Sequence, residues 1–269
     1  MTYHWINTIE AFRKLTPEWD ALLLRSRQYN PFLLSEFITT WWTHYHKQAA
    51  ELQIFVVYQN DRLVAGLPLC LMRSSQRDGW ARRLIYIGGW AANYTEPLSI
   101  LSGSEFLDQL RQALGTRHDW DLLELSDIRG GHPLVEAGQC WEPDHGLVVR
   151  LTPDHANFAI DLSGGVDAYF ATISKKLRRD LRAKRRHAEQ RYGPIRLEPV
   201  GGSAEVERLM ERYVAFSSQT FRNRGRRSTF DDVRQAAFFR EFLTMMDAHG
   251  WLDAHVLRAG EHVLAISVG

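Results

Sequence analysis

Two stretches, VVYQNDRLVAG at residues 56–66 and HVLRAGEHVLA at residues 255–265, both have the pattern of a strand, a two-residue turn and a strand. When they are aligned end to end, Val57 falls on Val256 and Val64 falls on Val263, and each stretch follows an amphipathic helix. The pattern predicts a duplicated α/β unit, although two unrelated hairpins would also align over so short a length. We expect a mixed α+β sheet in each copy and domains at residues 1–155 and 156–269.

Composition favours a globular chain of one large domain or two smaller ones, since 45% of its 269 residues are hydrophobic. Cys70 and Cys140 form no motif or disulfide framework, which is the usage of a reduced compartment. The N-terminal residues lack a signal-peptide pattern, and the longest uncharged apolar segment, residues 63–72, is too short to cross a bilayer. A cytoplasmic protein without a transmembrane segment is therefore expected.

Local signals predict most of the elements around the two hairpins. Thr16 and Pro17 have the pattern of the cap and first position of a helix that ends near Arg27, and Ser35 has the pattern of the cap of a second helix. The remaining predictions are strands at 83–87, 121–125 (buried), 147–151, 158–162 and 195–200, and helices at 104–114, 206–216 and 233–246. A closing hairpin is expected to turn at Ala259-Gly260.

The segment SKKLRRDLRAKRRHAEQRYG, residues 174–193, holds nine basic and two acidic residues in a chain whose net charge is only +1. It belongs to a long predicted helix with a narrow apolar stripe, so we expect that helix to be docked along one side. The stripe consists of Phe170, Ile173, Leu177, Leu181 and Ala188.

Three interpretations of this basic helix stay open. It is a solvated face, a nucleic-acid surface without the usual interleaved aromatic residues, or a site for phosphate or pyrophosphate. On the third interpretation the cations on one stripe are Lys175, Arg178, Arg182 and Arg185.

Other chemistry is not indicated by any motif. The sequence has no GxSxG, HExxH, Walker loop or GxGxxG after a strand, and the paired glycines at 88, 130, 164 and 201 are typical of turns and caps. The histidines are scattered without a cluster of further ligands, so no metal site is expected. No nucleophile or general base can be named from the sequence.

Together, several stretches resemble the CelD/BcsL-like acyltransferases of the GNAT superfamily, which are linked to cellulose and exopolysaccharide biosynthesis. They are EWDALLLRSRQYNPFLLSEFITTWW, LPL and IGGWAANYTEPL in the first half, and YFATISKKLRRDLRAKRRHAEQRYG, RNRGRRSTF and HVLAISVG in the second. The resemblance spans nearly the whole chain.

This resemblance implies two tandem GNAT-like modules, akin to the Fem aminoacyl transferases, and an acyl-CoA such as acetyl-CoA as co-substrate. The acyl group would pass directly to an amine or a hydroxyl of a small or glycan-linked acceptor, while backbone amides at a helix N-terminus hold the pyrophosphate. Because such direct transfer forms no covalent intermediate, the resemblance also accounts for the lack of a recognisable nucleophile. An acyltransferase of this kind is not expected to bind nucleic acid. The alternative function is a non-catalytic module that binds nucleic acid or another polyanion through residues 174–191.

Site residues follow from the same resemblance. Asn93 and Tyr94 match a polar and aromatic pair that would line a substrate cleft, or else Tyr94 is a packed loop aromatic. The basic helix would attract a phosphate-bearing substrate or donor through Lys175, Arg178, Arg179 and Arg182. Because family members continue beyond the apolar run that ends at Gly269, the second module is expected to be truncated here.

Overall fold

The computed structural model describes residues 1–28, 30–47, 49–72, 80–141, 146–153 and 160–269. It divides into two compact units, Met1–His155 and Ala156–Gly269. Each unit contains helices and a sheet, which confirms the predicted mixed α/β class.

The first unit is built on a six-stranded mixed sheet. The elements of this unit are β1 (Thr2–Ile6), α1 (Ile9–Ser26), α2 (Ser35–Tyr45), β2 (Ala49–Gln59), β3 (Arg62–Met72), β4 (Arg83–Tyr86), β5 (Leu98–Ser99), α3 (Gly103–Gly115), β6 (Leu122–Glu124) and α4 (Pro133–Gln139). The strands run in the order β1-β2-β3-β4-β6, with β5 added to β3; β4 and β6 are parallel and the other pairs are antiparallel. Trp19 is fully buried in the core, where its indole N–H donates to the Leu33 carbonyl at 2.7 Å.

The second unit pairs three antiparallel strands with a helical layer. A core cluster of Val206, Met210 and Leu243 joins two of its helices, and Leu209 packs against the sheet at Ala254. The elements are α5 (Gly165–Thr172), α6 (Lys175–Tyr192), β7 (Ile195–Pro199), α7 (Ser203–Asn223), α8 (Val233–Ala248), β8 (Ala254–Ala259) and β9 (His262–Val268), and the sheet order is β7-β8-β9.

Both units contain the same series of elements. β1, α1, a 3₁₀ turn at Pro31–Leu33, α2, β2 and β3 correspond in order to β7, α7, a 3₁₀ turn at Thr229–Asp231, α8, β8 and β9. The strand pairings are antiparallel in both series. The repeated pattern is therefore longer than the two hairpins that suggested it.

The hairpin registers agree residue by residue. Gln59 pairs with Arg62 in the first hairpin and Ala259 pairs with His262 in the second. Each also has a register shift two residues before the strand end, between Val57 and Tyr58 and between Leu257 and Arg258.

The sequence alignment of the two hairpins was therefore wrong by one residue. Val57 corresponds to Leu257 rather than to Val256, and the second turn is Gly260-Glu261 rather than Ala259-Gly260. The alignment matched valine to valine, whereas the hydrogen bonds match turn to turn. In a strand this shift matters, because one residue exchanges the two faces of the sheet.

The start of the chain differs from the sequence prediction in three ways. Residues 2–6 form β1, which was not predicted, and α1 begins at Ile9 with Thr8 as its cap, so that Pro17 lies inside the helix. Ser35 is the first residue of α2 and its hydroxyl donates to Asp20 at 2.8 Å instead of capping. The other predicted helices and the strands at 83–87 and 195–200 are confirmed.

Several predicted strands were wrong as well. β6 is not buried, since Leu122 is 47% exposed and the strand pairs with β4 alone among the described strands. Residues 147–151 hold a single bridge residue, Leu147. Of the predicted strand at 158–162, residues 158–159 lie outside the described residues and 160–162 are irregular.

The long basic helix is two helices. Ser174 breaks it, because its hydroxyl accepts from the Leu177 amide at 3.2 Å and so caps α6. The predicted docking of its apolar stripe was wrong, since α5 and α6 contain no buried residue. α6 contacts β7 and β8, and Tyr192 at its end packs on His262, so its C-terminal end is the anchored one.

Candidate functional site

The predicted cations of α6 lie together along an open groove between α5 and α6. The groove has a volume of about 640 Å³. Its lining contains all four predicted residues, Lys175, Arg178, Arg179 and Arg182, together with Asp167, Phe170, Ala171 and Arg186. Arg222, Arg224 and Arg226, basic residues of the RNRGRRSTF segment, do not line it.

The four cations are held differently. Arg178 donates through Nη1 to the Phe170 carbonyl at 2.8 Å, so it fixes the C-terminal turn of α5 against α6. The Nε atom of Arg179 is 3.7 Å from Oδ1 of Asp180, and the Arg179 side chain is 76% exposed. Within the part of the chain that the structure describes, Lys175 and Arg182 have neither an ion pair nor a hydrogen bond. These two and Arg179 are therefore the charges most available to a ligand.

A second candidate site lies in the first unit, where two loops meet beyond the parallel pair β4 and β6. The carboxyl ends of parallel strands reach the same edge of a sheet, which is where α/β sheets bind ligands. Asn93 and Tyr94 lie in the loop after β4 and both are exposed. Tyr94 has a φ of 59°, a left-handed conformation that is unusual for a bulky side chain.

The Tyr94 loop is fixed by a buried carboxylate. Glu96 is 1% exposed, and Arg129 donates to it through Nε and Nη2, both at 2.6 Å. The Arg129 guanidinium carbon is 5.5 Å from the centre of the Tyr94 ring. Because that side chain is 60% exposed and its Nη1 is not used by Glu96, the outer edge of Arg129 faces solvent beside Tyr94.

Sequence reasoning missed Glu96 and Arg129. The two residues are 33 positions apart, on loops whose meeting depends on the parallel pairing of β4 with β6. The sequence held only a weak signal, since Glu96 and Pro97 stand between two apolar segments. Nothing local indicated which cation would pair with the carboxylate.

His132 lies at the edge of this cluster and caps α4. Its Nδ1 accepts from the Leu134 amide at 3.1 Å. Burial lowers the pKa of His132, the nearby Glu96 opposes this by raising it, and Arg129 lowers it further. The neutral form is thus favoured, and it is the form that can accept the capping hydrogen bond.

The N-terminus of α3, the helix that leads from β4 towards β6, does not fit the pyrophosphate of an acyl-CoA. Glu105 accepts from the backbone amide of Ser102 at 3.0 Å and from its hydroxyl at 2.8 Å, and these bonds lower the pKa of Glu105. An ionised carboxylate therefore occupies the end of the helix that attracts anions. Space is absent too, since a Cβ added to Gly103 would lie 2.1 Å from the Pro133 carbonyl oxygen.

The N-terminus of α7 is occupied in the same manner. The Gly202 amide donates to both carboxylate oxygens of Asp247, at 3.0 and 3.1 Å. The first turn of α6 differs, because it carries Lys175 and Lys176 and no acidic residue. Phosphate groups therefore fit the beginning of α6 better than that of α3 or α7.

Among the described residues, no group of three or more His, Cys, Asp or Glu side chains is placed to hold a metal ion. None of the helices that the structure describes is both long enough and apolar enough to cross a membrane.

The second unit is an α/β unit, and its first two helices, α5 and α6, line the basic groove. Residues 175–269 match the model of the acetyltransferase (GNAT) domain, from the first residue of α6 to the last of the chain. The match supports the GNAT superfamily and acyl-CoA-dependent acyl transfer in general, and it lies wholly within the second unit. No curated protein and no solved structure matches the chain.

Proposed function

We propose that this protein is an acyl-CoA-dependent N- or O-acyltransferase that uses acetyl-CoA or another acyl-CoA. The observation that carries the proposal is the match of residues 175–269 to the GNAT domain. The acceptor is a sugar-linked or amine compound of polysaccharide or cell-envelope biosynthesis, as the CelD/BcsL-like resemblance implies. The location is cytoplasmic, a prediction that rests on cysteine usage.

The first unit is proposed to be a second GNAT-like module. Its support is the repeated series of elements, which includes the same strand registers and the same register shift in the hairpin. The series of elements carries most of this support, because the register of a hairpin follows from its two-residue turn.

Each unit contributes one candidate binding site to the proposal. In the second, Lys175, Arg179 and Arg182 attract the phosphate groups of a substrate or donor, while Arg178 holds the groove in shape. In the first, Asn93, Tyr94 and the outer edge of Arg129 offer polar and aromatic contacts to a substrate. Bound acyl-CoA would supply the acyl group, which passes directly to the acceptor amine or hydroxyl.

Calorimetric titration with acetyl-CoA tests the proposal, followed by an assay for CoA thiol released in the presence of amine and hydroxyl acceptors. We expect saturable binding that is weakened at least tenfold by Arg179→Glu combined with Arg182→Glu. Arg212→Glu, an exposed cation on α7, is the matched control and should bind normally. If the protein neither binds acetyl-CoA nor releases thiol, acyl transfer is not its function.

The alternative is a polyanion-binding module, which the exposed charge of α6 favours. A salt series distinguishes the two. Binding of DNA or RNA that falls steeply with salt, in a protein that does not bind acetyl-CoA, would favour the module.

A further inference from the structure

The exposed surface of α5 and α6 combines cations with apolar side chains. Phe170 is 37% exposed, Leu177 is 46% exposed and Leu181 is 41% exposed, and Val166 on α5 is 61% exposed. The two helices carry nine basic residues against Asp167, Asp180 and Glu189. We call the side of α6 that carries Leu177 and Leu181, bordered by Lys184, Arg185 and Arg191, the α5–α6 face.

The apolar and basic residues are neighbours on this face. Leu177 and Leu181 are one helical turn apart and so point to the same side of α6. Lys184 and Arg185 in the next turn border that side, and long basic side chains can extend past buried apolar groups to reach water or phosphate. An amphipathic helix with this arrangement is suited to lie in the plane of a membrane surface.

The spacing of the cations on this face favours an extended partner over one small anion. From Lys184 to Arg191 they cover about 10 Å along the helix, and from Leu177 the whole face covers about 21 Å, at 1.5 Å per residue. A single phosphate is bound by donors that converge on it, whereas a row matches many anionic groups spread over a surface.

A nucleic acid is the less suitable extended partner. Single strands are bound by aromatic side chains interleaved with cations, whereas the one aromatic residue of α6, Tyr192, lies at its end and packs on His262. Exposed leucines would gain nothing from a phosphate backbone, but they would be buried among lipid acyl chains.

We propose that the α5–α6 face docks on an anionic lipid membrane. Lys184, Arg185 and Arg191 contact lipid phosphates, and Leu177 and Leu181 enter the boundary of the acyl chains. Docking does not depend on acyl transfer, because neither acyl-CoA nor an acceptor takes part in it.

Co-sedimentation tests the proposal with vesicles of pure phosphatidylglycerol and of pure phosphatidylcholine. The wild-type protein should bind the first at least tenfold more tightly than the second. Arg185→Glu combined with Arg191→Glu should abolish this preference, and Leu177→Ser combined with Leu181→Ser should weaken binding to phosphatidylglycerol about tenfold. All four positions are exposed, so circular dichroism and the melting temperature should be unchanged.

Matched controls lie on the same unit. Arg212→Glu on α7 reverses an exposed charge, and Val233→Ser on α8 removes an apolar side chain that is 84% exposed. Both variants should bind the vesicles as the wild type does. The proposal is overturned if the wild type does not bind phosphatidylglycerol vesicles. It is also overturned if the leucine variant binds them normally while the arginine variant does not, because α6 would then hold polyanions by charge alone.

Discussion

Arg129→Ala is expected to destabilise the first unit far more than a matched surface change. Glu96 is 1% exposed, and the substitution removes two hydrogen bonds of 2.6 Å from its carboxylate. A buried charge left without its partner costs about 3–5 kcal/mol. Because the Arg129 side chain is itself 60% exposed, we expect about 3 kcal/mol, the lower end of that range.

The matched control is Arg82→Ala. Arg82 also donates two hydrogen bonds to one carboxylate, that of Asp121, but the side chains are 43% and 44% exposed, so the expected cost is much smaller than for Arg129→Ala. Urea unfolding followed by tryptophan fluorescence is the assay. Eight of the nine tryptophans lie in the first unit, so the signal reports almost wholly on it.

A double-mutant cycle tests the cause. If the cost of Arg129→Ala comes from the isolated carboxylate, adding Glu96→Ala should recover part of the lost stability. The reasoning is refuted if Arg129→Ala costs no more than Arg82→Ala, since the loop pair would then behave as an ordinary surface pair.

Two further predictions concern α3 and α4. Burial holds the pKa of His132 below its usual value, so the folded protein loses stability as the pH falls from about 6.5, where the unfolded chain takes up the proton. His132→Asn keeps an oxygen that can cap α4 but does not titrate. The urea midpoint of this variant should therefore fall less than that of the wild type between about pH 7 and pH 5. An equal fall in both proteins would assign the pH dependence to other groups. Gly103→Ala should lower the free energy of unfolding by about 1–3 kcal/mol, because its Cβ meets the Pro133 carbonyl. Gly115→Ala is the control, because its Cβ would meet no described atom outside its own stretch of helix within 4 Å, and equal effects of the two would contradict the close contact.

Turn chemistry and periodicity predicted the hairpins and most helices, since these signals are local. Asn60 and Asp61 both adopt the positive φ that such residues tolerate in a two-residue turn. Pro17 misled the prediction of α1, because the same residue that favours a first turn is accommodated inside this longer helix. The one-residue error in the second hairpin arose because register depends on hydrogen bonds between strands and not on residue type.

The candidate sites were predictable to different degrees for the same reason. Lys175 and Arg182 belong to one helix, so their spacing alone placed them on one side. Glu96 and Arg129 meet only after β4 and β6 have paired, and no periodicity connects them. The exposure of Leu177 was also beyond the sequence, because an apolar stripe shows which side a helix would bury but not whether anything covers it.

The electrostatics of the helix ends explain why the basic helix matters to both proposals. A helix N-terminus usually supplies positive potential for a bound phosphate, but Glu105 neutralises that of α3 and Asp247 that of α7. Positive charge without a matching carboxylate is therefore concentrated on α6, where Lys175 and Arg182 have no partner among the described residues. It follows that anion binding by this chain, whether of a phosphate-bearing ligand or of a lipid surface, should respond strongly to charge changes on α6. Removing the acidic group of Glu105 should affect it little, because the Pro133 backbone would still cover that end of α3.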